Sequence, residues 1–144
     1  MRSVQARLRL EPLNGLDAAQ IDQVHRLLQD SFAKAGHSTA AAYASATVVE
    51  ELCANVLEHS NATWLSLDLD LHEGRIFVHI QDDGSAFDVC ARIRQLSGGL
   101  AERSDSDRQL GLFMVRQLTT GLQCLQDGGI NRVRFEVKPQ HGRE

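Results

Sequence analysis

The sequence has 144 residues, which suits one domain of ordinary size. Hydrophobic residues make up 42% of the chain and charged residues 24%, close to the averages of globular proteins. The formal net charge is -4 without a basic stripe or tail, which argues against nucleic acid as a direct partner. No apolar run approaches the roughly 20 residues of a membrane span, and the first residues lack the apolar core of a signal peptide. We therefore expect a cytoplasmic protein without a membrane segment.

Three cysteines are spread widely along the chain, at Cys53, Cys90 and Cys124. Their odd number and their spacing match neither a zinc-binding pattern nor a disulfide framework. We therefore expect all three to be small buried hydrophobic side chains without chemistry of their own.

The first part of the chain predicts one strand followed by two helices. Apolar and polar residues alternate from Val4 to Leu10, which is typical of a strand with one buried face. Apolar residues then recur at helical spacing behind Asp17, a suitable N-cap, and Gly36 is a natural C-terminal stop. A second helix, capped by Ser38 or by the threonine that follows it, is expected to end near residue 60.

The second helix carries three polar side chains that stack on one side. Glu51, Asn55 and His59 lie four residues apart, beside an apolar stripe that would face the core. A half-buried carboxylate or amide needs a partner, so the pattern is costly unless the residues have a use. The amide oxygen of Asn55 can bind a hard cation such as magnesium, and Glu51 can accept a proton from an attacking hydroxyl or water. The alternative is an ordinary amphipathic helix whose polar residues face solvent.

A β-hairpin and an acidic turn follow the second helix. Alternating apolar residues predict strands over Trp64–Leu71 and Arg75–Ile80, joined by a turn at residues 72–74. The second strand runs into Asp82-x-Gly84, where a strand end would fix the carboxylate and glycine would let a flat ligand approach closely. Asp82 can accept a hydrogen bond from an amine such as that of adenine. A plain Asp-Gly turn has the same pattern.

The pattern loosens between Val89 and Asp107, in a segment that contains glycines, serines and arginines. Solubility explains most of these arginines, whereas a lid over phosphates is the functional interpretation. A helix resumes at Leu110-Gly111 with glycine in its first turn, where free N–H groups and the helix dipole can bind an anion. Close packing between helices would also require a glycine here.

Two further strands, over residues 122–125 and 133–137, complete the chain after Gly121, which is expected to end the last helix. Asp127-Gly128-Gly129 is the expected turn between them. Early helices and strands paired as hairpins predict an α+β fold, a two-layer α/β sandwich. Its sheet would be mixed but largely antiparallel, with helices on one face. No linker composition interrupts residues 1–144, which are expected to form a single domain.

Three motifs, in this order, resemble those of the GHKL (Bergerat) ATP-binding fold: Glu51-x-x-x-Asn55, Asp82-x-Gly84 and Leu110-Gly111-Leu112. That fold is shared by gyrase-type ATPases and histidine kinases. The stretches Glu-Leu-Cys-Ala-Asn-Val-Leu-Glu-His and Gly-Leu-Phe-Met-Val-Arg are most similar to one branch, the anti-sigma-factor serine-protein kinases of bacterial partner-switching systems. The resemblance covers nearly the whole chain and implies a single histidine-kinase-like ATPase domain.

The resemblance implies roles for the residues of the first two motifs. Asn55 would hold the Mg2+ ion that bridges the phosphates of ATP. Glu51 would be the general base that accepts the proton of the attacking serine hydroxyl. Asp82 would bind the adenine amine, in a pocket shaped by Gly84. Chemistry of this kind depends on positioning and charge neutralisation more than on covalent catalysis.

The last motif departs from the family pattern. Arg108-Gln109 stands where this branch usually has glycines before the Leu-Gly pair, which is Leu110 and Gly111 here. Gly111 would lie under the phosphates at the start of the helix, and Arg108 would reach a phosphate or crowd the site. This branch also has a histidine one turn after the asparagine, which is His59 here, and we expect it among the nucleotide-binding residues.

The resemblance further implies a cytoplasmic, homodimeric enzyme that uses ATP and Mg2+. It would bind a sigma factor and phosphorylate a serine or threonine of an anti-anti-sigma antagonist, so that the two partners compete for it. One alternative is a partner-binding module of the same fold that regulates by competition without phosphorylation, because Arg108-Gln109 has weakened nucleotide binding. A third possibility is a free-standing ATPase domain that serves a histidine phosphotransfer protein.

Overall fold

The computed structural model describes residues 3–13, 18–59, 61–86, 88–96 and 107–139, without the side chains of His59 and of residues 107–110. Its elements are, in chain order, strand β1 (Val4–Leu10), helices α1 (Ala18–Ala35) and α2 (Thr39–His59), strands β2 (Leu65–His72) and β3 (Arg75–Asp82), helices α3 (Val89–Arg94) and α4 (Asp107–Leu118), and strands β4 (Thr119–Asp127) and β5 (Ile130–Val137). None of the described helices combines the length and the apolar character needed to cross a membrane.

The five strands form one sheet in the order β1-β2-β3-β5-β4. All four neighbouring pairs are antiparallel. The alternation of β2 explains why the sheet has one buried face: Leu65, Leu67, Leu69 and Leu71 point to the same side and are at most 2% exposed. The predicted two-layer sandwich with a largely antiparallel sheet is confirmed, and the described strands contain no parallel pair.

Helix α2 is the element that positions the polar residues named above. Ser38 is its N-cap, because the Ser38 hydroxyl accepts a hydrogen bond from the main-chain N–H of Ala41 at 3.1 Å. The helix contacts both α1 and α4, and Val48 and Val49 are fully buried in the core beneath it. Asp17, the expected cap of the preceding helix, lies outside the described residues.

The sequence analysis did not predict helix α3, because the apolar pattern is irregular from Val89 onward. The helix has six residues, fewer than two turns, and is therefore too short for apolar periodicity to reveal. Its local signal is a cap: the Asp88 carboxylate accepts a hydrogen bond from the main-chain N–H of Ala91 at 3.0 Å. Val89 and Ile93 bury the inner side of the helix.

Both ends of α4 differ from the prediction. The helix begins at Asp107 and ends at Leu118, so Gly111 lies in its second turn and Gly121 does not end it. Gly121 instead lies within β4, where the pairing with β5 shifts register between Thr120 and Gln123. Its φ of 66° is the left-handed conformation that favours glycine at a bulge.

The cysteine prediction holds for one residue and fails for two. Cys53 is free and fully buried, as expected. Cys90 and Cys124 instead form a disulfide, with Cα atoms 6.0 Å apart. The bond joins α3 to β4 across 34 positions of sequence. Only the tertiary fold brings these elements together, so the spacing of the cysteines gave no sign of the pairing.

Candidate functional site

Glu51 and Asn55 lie side by side on α2, as their helical spacing predicts. Asn55 is 4% exposed, and its Nδ2 donates hydrogen bonds to the main-chain oxygen of Glu51 at 2.9 Å and to Glu51 Oε2 at 3.2 Å. Asn55 therefore does not lie in solvent. Its Oδ1 accepts no hydrogen bond from the described residues, which leaves a hard oxygen donor suited to a magnesium ion.

The carboxylate of Glu51 lies directly against Gly111 of α4. A Cβ atom added at position 111 would collide with Cδ, Oε1 and Oε2 of Glu51. Glycine is thus needed here to make room for the acid, which agrees with the close-packing interpretation of this residue. The expectation that Gly111 lies at the helix start is wrong, because α4 begins four residues earlier at Asp107.

Asp82, at the end of β3, presents a buried carboxylate. It is 6% exposed, and its Oδ1 accepts hydrogen bonds from the N–H of Gly84 at 2.8 Å and from Asn131 Nδ2 at 3.0 Å. Burial raises the pKa of Asp82, and these two hydrogen bonds offset part of that effect. Oδ2 has no partner among the described residues, so it can accept a hydrogen bond from a ligand amine.

Asn131 is a site residue that the sequence analysis missed. It lies directly opposite Asp82 in the β3–β5 register. Besides Asp82, its Nδ2 reaches the main-chain oxygens of Gly84 at 3.2 Å and of Ser85 at 3.1 Å. One amide thereby holds both the carboxylate and the glycine turn. β3 and β5 are not consecutive strands, so no local pattern could have paired these residues.

The chain after α2 is tied to the same acidic turn. The main-chain N–H groups of Thr63 and Trp64 donate to Asp83 Oδ1 at 2.7 and 3.1 Å, and Ser85 N–H donates to Asn61 Oδ1 at 2.8 Å. Burial acts to raise the pKa of Asp83, but the hydrogen bonds from Thr63 and Trp64 outweigh it and lower the pKa. The two loops beside the site therefore form one hydrogen-bonded unit.

A small cavity of about 30 Å³ lies between these groups. Polar side chains from α2 and the sheet line it together with apolar side chains from α2, β3, α3 and β5. The lining residues are Leu52, Asn55, Val56, Ile80, Asp82, Val89, Asn131 and Val133. The volume is far below the roughly 300–1,000 Å³ that is usual for pockets that hold small molecules. The structure thus brings Asn55, Asp82 and Asn131 to one cavity, with Glu51 bonded to Asn55 beside it.

A much larger groove of about 780 Å³ lies on the face of the sheet opposite the described helices. It is lined by residues such as Arg7, Asp68, His79 and Arg134 and by none of the site residues expected from the sequence. Size alone would favour this groove. The chemistry favours the small cavity, because that is where buried carboxylate and amide groups meet.

Three residues expected at the site lie outside this comparison. The side chains of His59, Arg108 and Leu110 are outside the described residues, although all three positions belong to α2 or α4. Their roles stay predictions. The described groups fit a nucleotide with magnesium in donor chemistry: Asn55 supplies one oxygen, and phosphates and water would complete the shell of the ion.

The comparison with known proteins adds one positive finding. The family model for the histidine kinase-like ATPase domain matches residues 15–137, which include every described residue of the site. No curated protein matches the sequence significantly.

Proposed function

Because the chain belongs to the histidine kinase-like ATPase domain family, we propose that it is an ATP-dependent protein kinase acting on serine or threonine. Family membership supports ATP binding and kinase-type chemistry. The choice of acceptor rests on the similarity of the sequence around Glu51 and Gly111 to anti-sigma-factor kinases. The observation that carries the proposal is that Asn55 and Asp82 line one cavity while Asn55 bonds to the Glu51 carboxylate.

The proposal gives each described residue a role that its geometry supports. Asp82 accepts the adenine amine at Oδ2 while Asn131 and Gly84 hold its Oδ1. Asn55 would hold Mg2+ through Oδ1, and bound ATP with this ion would supply the phosphoryl group. Glu51 accepts the proton of the attacking hydroxyl, because contact with Gly111 and the bond from Asn55 fix its carboxylate.

The biological role that we propose is partner switching in the cytoplasm. The protein would sequester a sigma factor until an anti-anti-sigma antagonist competes for it, and phosphorylation would then release the antagonist. The similarity of the motifs to anti-sigma-factor kinases supports these partners. No direct contact with nucleic acid or membrane is part of the proposal, consistent with the net charge of -4.

We propose that the homodimer contact lies on the face of the sheet that carries the large groove. This face carries both charges in cross-strand ion pairs, Arg7 with Asp68 and Arg75 with Glu136. A two-fold interface joins the same patch of both subunits, so a surface bearing both charges can be self-complementary. Sedimentation of wild-type protein and an Arg134→Glu variant tests the placement, with a shift of the variant toward monomer expected.

Phosphoryl transfer to cellular proteins tests the proposed activity. Wild-type protein and a Glu51→Gln variant would each be incubated with labelled ATP, Mg2+ and soluble protein from the source cells. The proposal predicts an acid-stable label on serine or threonine of a small protein with the wild type and no label with the variant. An acid-labile phosphohistidine would instead indicate an ATPase domain serving a histidine phosphotransfer protein.

A partner-binding module without kinase activity is the second candidate. The cavity of about 30 Å³ favours it, because adenine cannot enter so small a space without movement of its walls. Nucleotide binding without any labelled protein would indicate a weak enzyme, whereas absence of binding in the reduced and the oxidised protein would indicate a module. A module has no physical need for the buried Asn55 amide, which is why the kinase is our first choice.

A further inference from the structure

The disulfide between Cys90 and Cys124 lies next to the candidate nucleotide cavity. Val89, the residue before Cys90, lines the cavity, and so does Val133, which lies opposite Cys124 in the β4–β5 register. The bond therefore connects two places one residue away from the cavity wall. Cys124 lies on β4, at the edge of the sheet, and is only partly buried, whereas Cys90 is 9% exposed.

Helix α3 depends on its neighbours for its position. A helix of six residues has little stability of its own. Its apolar inner side, the Asp88 cap, the disulfide and one bond at its far end are among the contacts that fix it. That bond runs from Arg116 Nη1 of α4 to the main-chain oxygen of Leu96 at 3.1 Å. The disulfide is the covalent constraint at the end nearer the cavity.

The cavity must widen before a nucleotide base can reach Asp82. Its volume of about 30 Å³ is far below the roughly 300–1,000 Å³ of pockets that hold small molecules. Leu52 and Ile80 form walls that belong to the core, since they are at most 4% exposed on α2 and β3. Moving them would disrupt the main hydrophobic cluster. Val89 is also a core residue, but it belongs to the short helix α3, which contributes only Val89 and Ile93 to the described core, fewer than α2 or β3. Displacement of α3 is therefore the least costly way to open the cavity.

We propose that Cys90 and Cys124 form a reversible thiol–disulfide switch that controls nucleotide binding. In the oxidised state the bond holds α3 against the cavity and weakens nucleotide binding. In the reduced state α3 moves away from β4 and the base can enter. The inference rests on the proposed function and deepens it. It also suits a reducing compartment, where protein disulfides are usually transient and redox-sensing.

The redox step is balanced with a peroxide as oxidant. The Cys124 thiolate attacks one oxygen of hydrogen peroxide, the O–O bond breaks, and a sulfenic acid and water form after protonation. The Cys90 thiol then attacks this sulfur and displaces a second water, which gives the disulfide. A dithiol reductant reverses the change through a mixed disulfide and becomes oxidised itself. Cys53 takes no part, because full burial raises the pKa of its thiol to about 12.

The test compares the two redox states of the full chain. Protein treated with hydrogen peroxide or with dithiothreitol is denatured, alkylated and weighed, with one free thiol expected after oxidation and three after reduction. Denaturation exposes the buried Cys53 to the reagent. Calorimetric titration with ATP and Mg2+ is expected to show roughly tenfold weaker binding in the oxidised state, within the usual range of coupling between sites. Hydrogen exchange is expected to show faster opening of α3 in the reduced state.

Two variants provide controls. A Cys90→Ser, Cys124→Ser double variant should bind ATP like the reduced wild type, whatever the treatment. A Cys53→Ala variant should keep the full response to oxidation. Equal affinity of the two wild-type states, unchanged exchange of α3, or three free thiols after peroxide would each overturn the switch.

Failure of the proposed function would have a different signature. The reduced, oxidised and serine-substituted proteins would then all fail to bind ATP. This result would refute the proposed function and, with it, the proposed redox control of nucleotide binding. The thiol count would still report whether the disulfide forms. Loss of the switch alone would instead show as tight ATP binding that ignores the redox state.

Discussion

Replacing Gly111 by alanine should separate catalysis from folding. The added Cβ would overlap the end of the Glu51 side chain, and its distance to Oε2 would be 2.6 Å where ordinary contact needs at least 3.4 Å. The carboxylate must therefore retreat by about 0.8 Å at that atom, and by more at Cδ and Oε1, which lie closer. A misplacement of about 1 Å costs a catalytic group roughly 100-fold in rate, or about 2.7 kcal/mol.

The same substitution should have little effect on stability. The atoms that alanine would meet are the far end of a flexible side chain, which can rotate away. Alanine within a helix is favoured over glycine by about 0.5–1 kcal/mol, which offsets part of the repacking. The free energy of unfolding of Gly111→Ala, measured in urea, should thus stay within about 1 kcal/mol of the wild type.

Basal ATP hydrolysis is the suitable assay, because water replaces the unidentified protein substrate. We expect Gly111→Ala to hydrolyse ATP about 100-fold more slowly while binding it with similar affinity. In a Glu51→Ala background the carboxylate is gone, so adding Gly111→Ala should cause no further loss. Full activity of Gly111→Ala, or an equal additional loss in that background, would refute the argument that glycine acts through Glu51.

Two further predictions concern the base-binding end of the cavity. Since burial raises the pKa of Asp82, acidification should remove its ionised form, and hence nucleotide affinity, at a higher pH than an ordinary aspartate would. Titrations at a series of pH values from neutral downward check this, and an affinity that falls only at the pH of an ordinary aspartate would contradict it. Replacing Asn131 by alanine removes one of the two donors to Asp82 Oδ1 and a donor to the main-chain oxygen of Gly84, so urea unfolding should show a loss of about 1–3 kcal/mol. Gln123→Ala on exposed β4 should show almost none.

Local patterns predicted the elements that carry the site. The period of four placed Glu51 beside Asn55 because both lie on one helix, and a helix fixes such neighbours without tertiary information. Alternation likewise placed Ile80 on the buried face and Asp82 at the end of the same strand. These relations depend only on residues close together in sequence, so the structure reproduces them.

Relations between distant segments could not be predicted in this way. Asn131 meets Asp82 because β5 pairs with β3, and strand order depends on the packing of the whole sheet. Cys90 meets Cys124 only after α3 has packed against β4. The sequence showed Gly111 as a glycine in a helix. Glycine is needed there because the residue contacts Glu51, and this contact could be seen only from the packing of α2 against α4.

Calorimetric titration of the reduced protein with ATP, with and without Mg2+, tests the central claim most directly. An Asn55→Ala variant removes the amide proposed to hold the ion, and Gln29→Ala on the exposed side of α1 is the matched control. We predict micromolar binding that requires Mg2+, that Asn55→Ala abolishes and that Gln29→Ala leaves unchanged. Absence of binding at millimolar nucleotide, or equal binding by Asn55→Ala, would contradict the assignment of this cavity as the nucleotide site.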